Sequence, residues 1–242
     1  MKKIFLFAIV AFIAACSSTV ATKLVEKGKA FAPLNEDIPV YLLSETELVP
    51  YQSQLVGGIK IGGAAGISQN CSYLKAVSEA RTAARKAGAN IIKISEAYGS
   101  DSHEADCYHI TASIYRNLDE KNLSKIKNFR KSTLPENCNY AMVYFYRVQD
   151  NAGAHAGYPV RILANDSILC KLRIGEKFAY KTTLFGKKVL YAESKSTQTE
   201  INIEKGQEYY VRCEVNVDFA FGKSQIGIVE NLDGRKQYSS LK

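Results

Sequence analysis

Residues 71–87 limit the fold more than any other stretch of this chain. Leu74, Val77, Ala80, Ala84 and Ala87 recur three or four apart, with Lys75, Glu79, Thr82, Arg85 and Lys86 on the other side. That is the repeat of an amphipathic helix, and Gly88 follows where a left-handed C-terminal cap is wanted. Strand patterns flank it. Residues 38–43 form a β-rich run whose Pro39 suits a sheet edge or a strand start. Residues 55–63 form a strand broken by glycine pairs. After the helix come a β-rich run at 90–94, a polar loop at 99–106 and an alternating strand at 108–115. The order ββαββ over residues 31–117 predicts an α+β domain, with one helix on one face of a small sheet.

Residues 118–136 read as a connector in which Asp119-Glu120 can cap a short helix. Lys121, Lys125, Lys127, Arg130 and Lys131 make it basic, with Leu123, Ile126 and Phe129 interleaved. A solvated interdomain helix and a contact with an anionic membrane surface or polymer both fit this pattern. Residues 137–242 then read as strand throughout: 141–147, 158–163, 167–172, 177–182, 187–193, 199–203, 208–217 and 225–230. Asn165-Asp166 makes a two-residue hairpin turn. About eight short strands with turns between them predict an all-β sandwich. No repeat or low-complexity segment interrupts either unit.

The N-terminus carries a different kind of signal. Met1-Lys2-Lys3 precedes twelve uncharged residues, 4–15, too few for a helical span of about 20 residues. The run closes on Ile13-Ala14-Ala15-Cys16, followed by Ser17-Ser18-Thr19. This arrangement resembles a bacterial lipoprotein signal peptide, in which the cysteine is acylated and becomes the mature N-terminus. An ordinary secretory signal cut after Ala15 is the plainer alternative. The resemblance implies removal of residues 1–15 and a lipidated tether at 16–30, with a reach of roughly 20 Å as flexible coil. Several acyl chains at about 0.8 kcal/mol per buried CH₂ would hold firmly. Ser17 stands where an aspartate would retain a lipoprotein at the inner membrane, and no acidic run follows Cys16. The resemblance therefore implies the outer membrane, facing the periplasm. Loss of Lys2 and Lys3 takes the net charge from +8 to +6, which suits anionic headgroups or envelope polymers and is too little to argue for nucleic acid.

Two further resemblances concern the folded units. The run L-V-G-G-I-x-I-G-G, then C-x7-E-A-R, G-A-N-I-I-x-I and C-Y-x4-A-x-I-Y, over residues 55–115, is similar to the core of RcsF-like outer-membrane lipoproteins. The opening Y-F-Y-R, then L-F-G-K-K-V-L-Y-A and G-Q-E-Y-Y-V-R, resemble an uncharacterised domain family of bacterial lipoproteins. Its implied fold is an immunoglobulin-like sandwich, and it implies no activity. Six cysteines are present. With Cys16 assigned to the anchor, Cys71, Cys107, Cys138, Cys170 and Cys213 remain, an odd number in an oxidising compartment. Spacing does not fix their pairing. The RcsF-like core has two disulfides, of which Cys71 and Cys107 match one pair; Ala97 and Ser113 lie near the places of the other. Cys170 and Cys213, both inside strands, are a second candidate pair, bridging the sheets or neighbouring strands, and Cys138 is the choice for an unpaired thiol.

Tests for chemistry find little. Gly57 and Gly62 have phosphate-loop spacing, but Gly63-Ala64 replace the Lys and Ser/Thr that would hold phosphate and magnesium. With three histidines and no G-x-S-x-G elbow, a hydrolase is only a remote reading. His103, Glu104, Asp106, Cys107 and His109 gather five potential ligands in seven residues. A metal-binding or metal-handling lipoprotein using His103, Asp106 and His109 is the sharper alternative. A polar loop beside a disulfide fits the same residues. Tyr144, Tyr146, Tyr209 and Tyr210 either line a binding face or pack half-buried. The sequence therefore predicts a non-catalytic envelope protein with a binding, sensing or structural role, and no cofactor beyond the covalent lipid. Its implied partners are the membrane, through acyl chains, and envelope proteins or peptidoglycan.

Overall fold

The computed structural model describes residues 22–62, 72–98, 108–129, 131–148, 159–217 and 222–241. Among them the chain is mostly β, with three sheets and three α-helices.

The first unit is a five-stranded sheet of β1 (Thr22–Lys27), β2 (Tyr41–Leu43), β3 (Gln54–Ile61), β4 (Ile91–Tyr98) and β5 (His109–Arg116), in the order β1-β3-β5-β4-β2. β2 is an edge strand, parallel to β4. β1 is the other edge and differs from expectation, because its residues fall inside the stretch read as a tether. Lys23, Glu26 and Lys27 hide its alternation, and its place is set by an antiparallel ladder to β3 that sequence periodicity does not register. Helix α1 (Tyr73–Lys86) covers one face. Ala76, Ala80 and Ala84 are fully buried, so its backbone can approach Ile59, Ile61, Ile92, Ile110 and Ile114. Ser72 caps it, accepting from Lys75 N at 3.2 Å. Gly88 follows at φ 79°, where a Cβ would stand 2.4 Å from the Ala32 carbonyl oxygen, so only glycine fits.

On the sheet's other face α2 (Glu120–Phe129) lays Leu123 and Ile126 against Tyr41, Leu43, Ile91 and Tyr115. Asp119 Oδ1 accepts from Lys121 N at 2.8 Å, the capping role its position suggests. A buried amide clamp fixes the approach to this helix. Asn90 donates to the Asn117 carbonyl and its Oδ1 accepts from Asn117 N, at 2.8 and 2.9 Å.

The second unit contains β6 (Ala141–Arg147), β7 (Val160–Ala164), β8 (Ser167–Leu172), β9 (Lys177–Thr182), β10 (Gly186–Ala192), β11 (Thr199–Ile203), β12 (Glu208–Val217) and β13 (Gly222–Val229). They form two four-stranded sheets, β11-β10-β7-β8 and β13-β12-β6-β9. One apolar cluster takes Ile162, Leu190 and Ile201 from the first sheet and Phe145, Val211 and Cys213 from the second. Asn165 and Asp166 have φ of 47° and 68°, as a type I′ hairpin turn requires. The unit is not strand throughout: α3 (Asn231–Ser240) follows β13 and packs on β12. Its sequence is polar nearly all round, so no apolar period announces it. Gly234 lets it settle, since a Cβ there would lie 2.2 Å from the Tyr210 Cβ.

Candidate functional site: a charged seam between the units

Along β12 the side chains alternate, so Val211, Cys213 and Val215 enter the core while Tyr210, Arg212 and Glu214 share the opposite face. That face is covered by α3 and by the start of α1. Arg212 and Glu214 are only 8% and 3% exposed, and Arg212 Nε donates to Glu214 Oε1 at 2.6 Å. The Arg212 guanidinium lies 4.4 Å over the Tyr73 ring, which meets Tyr108 edge-on at 5.2 Å. Arg212 Nη1 and the Tyr146 hydroxyl both donate to Gln237 Oε1 of α3, at 2.9 and 3.0 Å.

Glu214 also reaches the first unit. Its Oε2 accepts from the backbone N–H of Leu74, in the first turn of α1, and from Gln225 Nε2, each at 3.3 Å. Gln225 in turn donates to the Ser72 hydroxyl. α1 has no acidic residue in its own first turn. A carboxylate 140 positions away in the chain therefore supplies the negative charge that a helix N-terminus favours. Around this polar centre Leu74 packs against Gly227, Val229 joins the first unit's core, and Arg81 pairs with Glu230 at 2.7 Å.

Burial sets the electrostatics. On its own it would lower the Arg212 pKa, but the adjacent Glu214 carboxylate holds it above its ordinary value. Burial, then Asp233, pushes the Tyr73 hydroxyl well above the usual tyrosine range, and burial does the same to Tyr146. Both rings stay neutral and the arginine stays charged. In a sealed low-dielectric setting such a network fixes one arrangement of its parts. Arg212, Glu214, Tyr73 and Tyr146 are all buried, and their polar contacts run to one another, to Gln237, to Gln225 and to Leu74 N.

The other tyrosines singled out by sequence pack rather than line an open face. Tyr144 stacks on Tyr210 at 4.9 Å, with Tyr238 of α3 5.0 Å from Tyr144. Tyr209 donates to the Asn202 carbonyl at 2.8 Å. Cys170 is a free, half-buried thiol on the edge strand β8, while Cys213 lies in the facing sheet on the inner strand β12. The candidate bridge between them is thus not formed. Cys138, half-buried before β6, is a free thiol whose Sγ donates to the Tyr140 carbonyl at 3.4 Å. His109 begins β5 and stacks on Tyr98, 5.0 Å between ring centroids. Lys121, Lys125 and Lys131 are exposed, Lys121 and Lys125 on α2; the Lys127 position is also on α2. Cys16, Cys71, His103, Asp106, Cys107 and Arg130 lie outside the described residues.

Among the described residues no group of three metal-ligating side chains gathers, and no helix is long and apolar enough to cross a membrane. No family model, curated protein or solved structure matches the chain.

Proposed function

We propose that this chain is an outer-membrane lipoprotein, held by acyl chains on Cys16 and facing the periplasm, with a non-catalytic binding, sensing or structural role. The observation that carries the reading is the N-terminal arrangement: Lys2-Lys3, twelve uncharged residues, then Ile13-Ala14-Ala15-Cys16. An RcsF-like α+β unit followed by an immunoglobulin-like sandwich is the architecture that goes with it. The charged seam supports the non-catalytic part, because Arg212 and Glu214 are spent on each other, on Tyr73, on Gln237 and on the first turn of α1. Two units tied in this way form one body that presents a fixed surface at a fixed distance from a membrane. Envelope proteins and peptidoglycan are the partner classes within reach.

Replacement of Cys16 by alanine tests the anchor. The parent protein takes up labelled palmitate and partitions into detergent, and Cys16→Ala abolishes both and accumulates unprocessed or soluble chain. Processing and partitioning unaltered by the substitution would refute the reading. Crosslinking in intact envelopes then separates the roles: a discrete protein partner supports sensing, and peptidoglycan alone supports a structural part.

A further inference from the structure

Resting on the anchor proposed above, we infer that the Tyr98–His109 end of the first sheet rests on the lipid headgroups, with Tyr98 as its interfacial contact. The strand register locates this end. Thr22 pairs with Ile61, Ile61 with Ile110, and Ile110 with Ala97, so one row crosses four strands at the start of β1. The pair Tyr98–His109 is one step beyond that row. Five residues separate Cys16 from Thr22, and six Cα steps extend to about 20 Å at most. The acylated residue is therefore confined to this end. Arg116 closes β5 at the other end, seven residues from His109 and about 24 Å away. Leu118 and the lysines of α2 follow it, so the basic helix that sequence offers for a membrane contact is at the far end of the sheet.

The chemistry near the anchor suits an interface. Tyr98 is 54% exposed, large and amphipathic, and its ring is braced by the His109 stack. Aromatic residues of this kind favour the headgroup level of a bilayer. Lys60 is exposed on the same face, because its neighbours Ile59 and Ile61 are buried toward α1 and it pairs in register with Thr111, next but one to His109. Lysine near a bilayer surface attracts anionic headgroups. Gly62 ends β3 at φ 95°, and a Cβ there would stand 2.5 Å from the Tyr108 carbonyl oxygen. The Gly62 backbone therefore lies directly against Tyr108 and His109.

The chain contains no tryptophan, so a single tryptophan reports on its own position. Tyr98→Trp and Leu118→Trp are compared in the full lipidated protein, reconstituted into phosphatidylethanolamine–phosphatidylglycerol vesicles carrying lipids brominated near the top of the acyl chains. Both sites are exposed, at 54% and 69%, so both substitutions leave the core alone. The tryptophan at position 98 is expected to emit at shorter wavelength than in detergent-free buffer and to lose most of its intensity to bromine, while the one at position 118 stays water-like and unquenched. Quenching at both positions, which places the sheet flat on the bilayer, or at position 118 alone, or at neither, would overturn the orientation. Intact-protein mass measured on the same samples tests the anchor separately. A chain without acyl mass on Cys16 refutes the lipoprotein reading itself and the orientation with it, whereas acylated chain with no quenching at position 98 refutes the orientation alone.

Discussion

Removing the Glu214 carboxylate is the most informative perturbation of the seam. Glu214→Ala leaves Arg212 charged, 8% exposed and without its anion, strips Leu74 N of its acceptor and leaves Gln225 Nε2 with the Ser72 hydroxyl alone. Breaking a buried pair on one side costs about 3–5 kcal/mol, and the lost charge at the α1 N-terminus adds about 0.3–1 kcal/mol. The Tyr73 face and Gln237 still contact the guanidinium, which favours the lower part of that range. Each kcal/mol moves Tm by about 2–4 °C in a chain of this size, so a fall of about 10 °C is expected. Urea unfolding followed by far-ultraviolet circular dichroism measures the loss. Arg212→Met combined with Glu214→Leu removes both charges and restores apolar contact, and it should recover most of the stability. If Glu214→Ala costs less than about 1 kcal/mol, the pair behaves as an exposed one, and the docking of α1 on β12 described above is wrong.

Two further outcomes follow from the buried titrating groups. Burial raises Tyr73, Tyr108, Tyr146 and Tyr238 above the ordinary tyrosine value and Tyr144 to about 12. Between about pH 10, the unfolded value, and those higher values the folded chain binds more protons than the unfolded one. Stability is thus fully present below pH 10 and falls as pH rises above it, so phenolate absorbance should show a late group of tyrosines that titrates as circular dichroism is lost. Fifteen tyrosines titrating together near pH 10 in folded protein would contradict this. Burial also pushes the Cys170 thiol up from 9.0 to about 12, which lowers its thiolate fraction about a thousand-fold at neutral pH. Alkylation mapped by peptide mass should label Cys170 slowly in native protein and rapidly in urea; equal labelling in both would refute its burial.

Legibility in the sequence followed the range of the forces involved. Strands β6, β8, β9, β11 and β12 coincide with the runs read from alternation, because each has one face in the core and the positive-φ pair Asn165-Asp166 pins one hairpin. α1 was readable because its alanines, leucine and valine share a stripe and Gly88 stops it. β1 and α3 were not, for related reasons. β1 carries three charges in six residues and is held by its ladder to β3. α3 has almost no apolar face and is held by Gly234 lying on the Tyr210 ring and by Gln237 receiving two donors. Both elements are fixed by partners distant in sequence, where local propensity is a weak guide.

The seam shows the same limit at one strand. Alternation through Tyr210, Arg212 and Glu214 establishes that these three side chains share a face, and that Cys213 points the other way. It does not establish whether the face meets water or protein. Opposite charges two apart on a strand are ordinary on a solvated face, where the pair contributes little. The same two residues become a sealed ion pair only because α1 brings Tyr73 and Leu74 from far upstream and α3 brings Gln237 from downstream. Neither arrival leaves a trace in the local pattern of β12. The energetic character of Arg212 and Glu214 is therefore a property of the assembled fold, and a search for functional residues by local motif passes over them. Their role as the tie between the units follows from what covers them, not from what they are.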